Sequence, residues 1–354
     1  MARGASAARA LVRRRIIVCL ALALATAWAV PAAQARLAAP SVFPVSIQSG
    51  GQAGPDIAGT MVVWTDNRNG ELDIYGRDLN RSGDFAVCAA HGFQDNPAVA
   101  AVATASRTEY VAVWVDKRNH DGGDIYGRDL TTRKNFVVVR SGTLKWFPEI
   151  CDSWVAWIEA GDAAGPYTIR ARDLVAGTTY KIATSTVLSS FGLTRRTVDG
   201  ATVYTAVYAS SGGDISGRDL PDGAPFSVSR SSAFEWSPDI SANRVVWWAD
   251  GERIWLRNLK TGVRTLVGSG SRPRVDGELV AWDGGGHGGT FVIAYDEGAA
   301  IYVRNVAHRR TPVKITQPHL TCLFPAVSGS TVVWESGPAQ RVLGHIHIYG
   351  ARLR

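Results

Sequence analysis

Hydrophobic and polar residues alternate along this chain over short stretches rather than over helical turns. Apolar runs of about five residues, rich in Val, Ile, Trp and Tyr, are separated by segments rich in Asp, Asn and Gly. Met61–Thr65 is one such run, between the Gly59-Thr60 turn and a polar loop. No apolar period of about 3.6 residues competes with this pattern after residue 40. The pattern predicts an all-β protein.

One phrase of the sequence recurs seven times. In each copy a Pro precedes a short strand, and a Trp follows within the next strand. The interval is nine residues in five copies, Pro55/Trp64, Pro148/Trp157, Pro238/Trp247, Pro273/Trp282 and Pro325/Trp334. The interval is seventeen residues in the other two copies, Pro97/Trp114 and Phe191/Tyr208. In the latter copy Phe191 stands in place of Pro and Tyr208 in place of Trp. We infer the same eight-residue insertion in both.

Each repeat indicates four short strands. In repeat one they are Asp56–Ala58, Met61–Thr65, Asp73–Leu79 and Asp84–Cys88. Four strands within about 45 residues are typical of a β-propeller blade, whose two apolar faces only neighbouring blades can cover. The recurring Trp is therefore expected to pack between blades. We predict a seven-bladed β-propeller of four-stranded antiparallel blades, with six blades as the alternative.

The two ends of the chain suggest how the ring closes. Repeat seven stops at Arg354, directly after its third strand, and Phe43–Ile47 is an extra strand ahead of repeat one. Pairing this strand with the segment around Tyr349 would complete the seventh blade. It would also remove a strand edge that invites aggregation.

The first 35 residues have the pattern of a signal peptide. Five arginines precede an apolar stretch from Ile16 to Val30, and Ala33-Gln34-Ala35 matches a cleavage site. The stretch is shorter than the roughly 20 residues of a membrane span, although a retained anchor is the alternative. We therefore expect a single propeller domain, residues 36–354, that is secreted into an extracellular, periplasmic or cell-envelope location and is not inserted in a membrane after cleavage.

Charge and cysteine content narrow the class of protein further. Without the five signal arginines, 33 basic residues face 31 acidic ones and no basic run remains, so nucleic-acid binding is not expected. Cys88, Cys151 and Cys322 are an odd number, which does not fit a disulfide framework. A Cys88–Cys322 bridge is an alternative. We expect a monomer stabilised by buried apolar surface.

The repeat PxISGxxVVWxDxRNGxxDIYxxDL resembles that of the TolB-like propeller superfamily, which is found in exported and surface proteins. The resemblance covers roughly residues 42–354 and is weakest in repeat four. TolB itself has six blades and a separate N-terminal domain, unlike this chain, so its binding partner is not carried over. The resemblance implies a scaffold rather than a reaction.

Several charged residues recur with the repeat and are therefore expected to serve the scaffold, as turn caps or as ion pairs between blades. They are the acids after the Trp (Asp66, Asp116, Glu159, Asp250) and the strand pairs Arg77-Asp78, Arg128-Asp129, Arg172-Asp173 and Arg218-Asp219. The loops Asp66–Asp73 and Asp116–Asp124 offer oxygen ligands, so calcium is the alternative. We otherwise expect no cofactor and no bound metal.

Recognition is expected to use residues that are not repeated. We define the loop face as the loops joining strands two and three of each blade together with those joining successive blades. Our candidate binding residues on this face are Asp95, His120, Trp146, Trp236, His287 and His319. Phe147 and Phe324, beside Pro, are expected to pack blade against blade. His91, His120, His287, His319 and His345 fall on this face and His308 on the other, so a metal site like that of propeller-type pectate-degrading lyases is an alternative.

No motif indicates a catalytic nucleophile. The sequence lacks GxSxG, HExxH and the sialidase-type SxDxGxxW box. We therefore predict a non-enzymatic recognition module that binds a protein or polysaccharide through the loop face around the central channel. One alternative is a carbohydrate-active hydrolase or lyase with its site at the channel mouth, and another is a structural cell-surface protein.

Overall fold

The computed structural model describes residues 40–104, 107–186, 189–285, 298–308, 311–316, 319–338 and 345–353. These residues form strands, turns and loops and contain no helix. Within these ranges there is accordingly no helix able to cross a membrane. The predicted signal peptide, residues 1–35, lies outside the described residues.

Seven antiparallel sheets of four strands each confirm the predicted fold. The strands of the first four blades run in chain order from the innermost to the outermost. They are β2 (Gln52–Ala58), β3 (Met61–Asp66), β4 (Asp73–Asp78) and β5 (Phe85–Cys88) in blade one; β6 (Gln94–Ala103), β7 (Thr108–Asp116), β8 (Asp124–Asp129) and β9 (Asn135–Val139) in blade two; β10 (Leu144–Cys151), β11 (Trp154–Ala160), β12 (Tyr167–Asp173) and β13 (Thr178–Ser185) in blade three; β14 (Phe191–Val198), β15 (Ala201–Ala209), β16 (Ile215–Leu220) and β17 (Phe226–Ser229) in blade four.

The last three blades complete the ring. They contain β18 (Glu235–Ser241), β19 (Arg244–Ala249), β20 (Arg253–Asn258) and β21 (Arg264–Ser269) in blade five; β22 (Ser271–Asp276), β23 (Leu279–Gly284), β24 (Ala300–Asn305) and β25 (Val313–Lys314) in blade six; β26 (Thr321–Ser328), β27 (Thr331–Gly337), β28 (His347–Arg352) and β1 (Ser41–Ser46) in blade seven. The first strand of each blade packs against the first strand of the next, so these seven strands surround the central channel.

The N-terminal strand closes the ring as predicted. β1 pairs antiparallel with β28, with Pro44 opposite Tyr349 and Phe43 opposite Gly350. A Cβ on Gly350 would lie 2.9 Å from the Phe43 ring, so glycine allows this aromatic side chain to lie flat against the strand. Blade seven is therefore built from both ends of the propeller.

The core consists of separate clusters between successive blades. Trp64, for example, packs against Val45, Val333 and Ile348 of blade seven, and Trp157 packs against Val113 and other residues of blade two. Trp64 and Trp157 are almost completely buried. The tryptophans at the same position of other blades are buried as well, namely Trp114, Trp247, Trp282 and Trp334. The predicted packing role of this residue is confirmed.

The repeated Arg-Asp pairs serve the scaffold, in a way that differs from an ion pair between blades. Arg128 Nη1 donates a 2.7 Å hydrogen bond to the Val87 carbonyl on the outer strand of the preceding blade, and Arg77 does the same to Val45. Asp129 instead caps the following turn, accepting from the backbone N–H of Thr131 at 2.8 Å. In these blades the arginine joins neighbouring blades and the aspartate shapes the turn. Arg172 instead donates to Thr179 Oγ1 of its own blade, and Asp219 pairs with Arg196.

The acid after the Trp fixes the indole ring. Asp66 accepts a 2.8 Å hydrogen bond from Trp64 Nε1 and pairs with Arg68, and Asp116 does the same in blade two. Asp250 of blade five instead accepts a 2.8 Å hydrogen bond from the Phe234 N–H, which fits the expected capping role. Its blade uses Glu235 to bind the Trp247 indole.

Cys88, Cys151 and Cys322 are all free thiols. The alternative Cys88–Cys322 bridge is therefore not formed in this structure.

Candidate functional site

Six of the seven innermost strands contain a β-bulge near their loop-face end. The residue before the repeat proline has a φ between 46° and 57°, and in every such blade the strand pairing shifts register at this point. The residues are Gly54, Asn96, Phe147, Ser237, Arg272 and Phe324. Blade four has Phe191 in place of Pro and pairs without a shift. A β-bulge redirects side chains, which makes this position distinct from a regular inner strand.

Several exposed apolar side chains lie on the loop face, at two of the bulges and on connections between blades. Phe147 and Phe324, at bulges, expose 37% and 42% of their surface. The Phe324 ring nevertheless contacts Arg272 of the neighbouring blade six, with 4.8 Å between the ring centroid and the guanidinium carbon, so it packs between blades in part. Three more exposed apolar residues lie on the connections between blades, namely Ile47, Phe93 and Leu320. We call these five residues the apolar rim.

Charged side chains meet inside the channel, two residues beyond the bulge. This is about 6–7 Å further along the strand. Arg274 of blade six lies 3.6 Å from Glu149 of blade three and 4.0 Å from Asp239 of blade five. Blades three and six are not neighbours in the ring, so the Arg274–Glu149 contact crosses the channel. Asp56 of blade one also interacts with Arg274.

Two of these acids also join inner strands to one another. Asp56 Oδ2 accepts a 2.8 Å hydrogen bond from the Val99 N–H of blade two. Asp239 Oδ2 accepts one of the same length from the Val275 N–H of blade six. We call Asp56, Glu149, Asp239 and Arg274 the channel cluster.

Burial makes the carboxyl groups of the channel cluster weak acids. Desolvation is the main cause, raising the pKa of Glu149 to about 8 and that of Asp56 to about 6, although Arg274 acts in the opposite direction. The pKa of Asp239 is raised for the same reason. The Glu149 and Asp239 side chains keep 27% and 16% exposure. The cluster therefore exchanges protons near neutral pH.

The remaining positions of this ring carry small side chains. Ala98, Gly192 and Ala326 occupy the same place on the inner strands of blades two, four and seven. A Cβ on Gly192 would lie 2.8–2.9 Å from the backbone of Asp239 and Ile240, so glycine permits close approach of these two inner strands. Four blades thus place a charged side chain at this level of the channel, and three place a small residue there. The charges are therefore unevenly distributed around the channel wall.

Three of the predicted binding residues hold one equivalent position. Asp95, Trp146 and Trp236 each lie just before the bulge, paired with Val115, Ile158 and Trp248. Asp95 lies 3.8 Å from Lys117, and burial raises its pKa. These residues lie at the loop-face ends of β6, β10 and β18, within the inner strands rather than in the loops where the sequence analysis placed them.

The two tryptophans are less open than the sequence suggested. Trp146 packs edge-on against Tyr167, with 5.9 Å between ring centroids. Trp236 lies between Phe234 and Trp248, at 4.4 and 5.1 Å. Both side chains are half-buried, so they take part in packing as well as in the surface.

The histidines of the loop face do not converge. His120 lines an open depression with Lys117, Arg118 and Asp121, and His319 is exposed with a φ of 72°. His91 and His345 are on the same face and His308 on the other, as the strand order requires. His287 lies outside the described residues. Within the described ranges, no three His, Cys, Asp or Glu side chains are grouped so as to hold a metal ion.

Sequence reasoning missed the channel cluster. Its members are the residues directly after the repeat proline, and their identities differ between blades, so they resemble ordinary strand residues. The available signal was the variation itself, since Asp, Ala, Glu, Gly, Asp, Arg and Ala follow one another at a periodic position of the innermost strand.

Solved structures share the fold of this chain. Oligogalacturonate lyase from Vibrio parahaemolyticus matches with a TM-score of 0.59 and 12% identity over 89% of this chain and 97% of that one. The β-propeller domain of the Trilobed protease from Pyrococcus furiosus matches with a TM-score of 0.55 and 10% identity, covering 85% and 96%. TolB from Acinetobacter baumannii also matches, with a TM-score of 0.48 and 16% identity over 75% and 63%.

No family model and no curated protein sequence matches the chain. At these identities the structural likeness concerns the fold alone. The chain is a seven-bladed β-propeller.

Proposed function

We propose that this protein is a recognition module, exported from the cytoplasm, that binds a protein or polysaccharide partner at the loop face around its channel. The observation that carries the proposal is the apolar rim. Its five side chains lie on segments that lead into the inner strands of blades one, two, three and seven. Exposed apolar groups that share one face of a protein, beside polar ones, are typical of interaction surfaces.

The opposite face supplies the comparison. Val175 and Val263 are exposed there too, but each lies on the turn between the third and fourth strands of its own blade, away from the channel. Scattered single apolar residues of this kind are normal on a protein surface. The channel cluster adds polar groups just beneath the apolar rim, as expected of a binding site that needs both affinity and specificity.

The proposal is tested by selecting ligands on the mature propeller from a displayed peptide library and from a glycan panel. Binding is then measured to the double variant Phe147→Ser/Phe324→Ser and to the control Val175→Ser/Val263→Ser. We expect the rim variant to lose at least tenfold in affinity and the control to bind as wild type. Ligands that bind both variants equally, or no ligand above background on the wild type, would contradict the proposal.

A second candidate function rests on Glu149. A carboxyl group with a pKa of about 8 is suited to proton transfer near neutral pH, and one protein of this fold is an oligogalacturonate lyase. This candidate predicts that the wild type forms unsaturated products from polygalacturonate and that Glu149→Gln does not. Absence of turnover by the wild type would remove this candidate.

A further inference from the structure

One inner-strand position has opposite chemistry in different blades. This residue of the first strand is paired, in the antiparallel ladder, with the residue of the second strand that lies two positions after the repeat Trp. Gln52, Gln94 and Lys145 hold this position in blades one to three, where they pair with Asp66, Asp116 and Glu159. In blade five the arrangement is reversed, because Glu235 pairs with Ala249.

In the first three blades this side chain supplies a nitrogen to the loop that enters the blade. Gln94 Nε2 donates to the carbonyls of Ala90 and Gly92, four and two residues earlier, at 3.1 and 2.5 Å. Lys145 Nζ donates to the carbonyls of Ser141 and Thr143, with the same spacing, at 3.0 and 2.9 Å. Gln52 repeats the pattern. The converging loop carbonyls are thus balanced by a positive or partly positive group.

Blade five lacks that donor. Glu235 is completely buried, and its carboxylate cannot donate to the Ser231 and Ala233 carbonyls, which are four and two residues earlier in its loop. Its Oε1 accepts hydrogen bonds from Ser229 Oγ at 2.8 Å, from Trp247 Nε1 at 3.0 Å and from Ser231 Oγ at 3.2 Å. Ser231 Oγ also lies 3.2 Å from the Ala233 carbonyl oxygen, so one hydroxyl is shared between two acceptors. Its Oε2 is buried with no hydrogen-bond partner. A buried carboxylate oxygen without a partner is costly.

Neighbouring charges leave this site negative. Arg264 lies 3.7 Å from Glu235 Oε1, and Asp214 Oδ1 lies 3.4 Å from the Ser231 N–H at the same loop. Glu235 and Asp214 thus bring two carboxylates to this loop, where Arg264 supplies one guanidinium. Ser231 and Ser232 are exposed, so the loop above Glu235 is open to solvent and provides an entry path.

We propose that a hard cation, Ca²⁺, binds between Glu235 Oε2 and the carbonyl oxygens of the 231–233 loop. It does in blade five what the Lys145 ammonium does in blade three. Carboxylate and carbonyl oxygens are the ligands that Ca²⁺ takes in proteins. The site uses one carboxylate and backbone oxygens, and it is separate from the apolar rim and the channel cluster. Its role is to hold the loop that joins blades four and five.

The test uses Glu235→Gln, because Gln52 and Gln94 show that glutamine satisfies this position without an ion. Protein is treated with EDTA, dialysed, and then titrated with CaCl₂, with calorimetry and thermal melts as readouts. We expect the wild type to bind one equivalent and to gain several degrees in Tm. Glu235→Gln should stay folded and lose at least tenfold in Ca²⁺ affinity. The control Asp222→Asn, on an exposed turn of the opposite face, should behave as wild type.

Two results would overturn the proposal. One is a wild-type melt that is identical in EDTA and in Ca²⁺, which would indicate that a water molecule satisfies Oε2. The other is a Glu235→Gln variant that binds Ca²⁺ as tightly as wild type. Neither result bears on the recognition function, since both variants leave the apolar rim intact.

Discussion

The guanidinium of Arg274 lies 3.6 Å from the carboxylate of Glu149, although two blades separate them around the ring. The contact spans the channel and joins its opposite walls. Because both groups are surrounded by protein, removing one leaves the other poorly compensated. The channel cluster is therefore a structural link whose carboxyl groups have raised pKa values.

Replacing Arg274 by Met removes the positive charge that faces three carboxyl groups. We expect the free energy of unfolding to fall by about 1–3 kcal/mol at pH 8, because the acids are ionised there without a partner. The loss should be smaller at pH 5, where protonation relieves it. Urea unfolding at the two pH values measures this, with Arg244→Met, in the surface pair with Glu278, as a control expected to cost less than about 1 kcal/mol. An equal loss at both pH values would contradict the electrostatic explanation.

Glu149 should make stability fall as pH rises. Its pKa is about 8 in the folded protein and about 4.3 in an unfolded chain, so the folded state binds the proton more tightly. Its stabilising contribution is complete below the unfolded value and is lost as pH rises through about 8. Between pH 5 and 8.5 the free energy of unfolding of Glu149→Gln should therefore fall less than that of the wild type, by on the order of 2 kcal/mol. Unfolding free energies that depend on pH as in wild type would show that Glu149 does not titrate in this range.

Deletion of residues 36–48 removes β1 and should open the ring. β28 would lose its partner, and the clamp from Arg77 to the Val45 carbonyl would disappear. An uncovered strand edge promotes association between molecules. We expect aggregation or a large loss of Tm, measured by size-exclusion chromatography and thermal melts. A deletion variant that is monomeric and as stable as the parent would show that closure by β1 is dispensable.

The strands and the closure were predictable because they depend on a periodic pattern. The Pro-to-Trp interval located β2, β3 and their counterparts, and the missing last strand pointed to β1. The channel cluster depends instead on which residue of each blade meets which across the ring. Arg274 and Glu149 are 125 positions apart, and no local pattern shows that they meet. The bulge that exposes Phe147 is likewise a backbone feature, which a sequence with Phe before Pro does not reveal.

Trp146 and Trp157 should respond differently to truncation. Trp157 is completely buried between blades, so Trp157→Ala should cost about 3–5 kcal/mol. Trp146 is half-buried against Tyr167, and Trp146→Ala should cost only about 1–2 kcal/mol while weakening ligand binding. Denaturant unfolding and a binding titration separate the two effects. Equal destabilisation by both substitutions would make Trp146 a packing residue.

Hydrogen–deuterium exchange with a ligand selected on the wild type tests the binding face most directly. The account predicts slower exchange at the loop-face ends of β6, β10 and β26, next to the apolar rim and above the channel cluster. Exchange should not change in the turns 174–177 and 259–263 of the opposite face. Protection confined to those turns or to the outer strands of the blades would contradict recognition at the channel mouth.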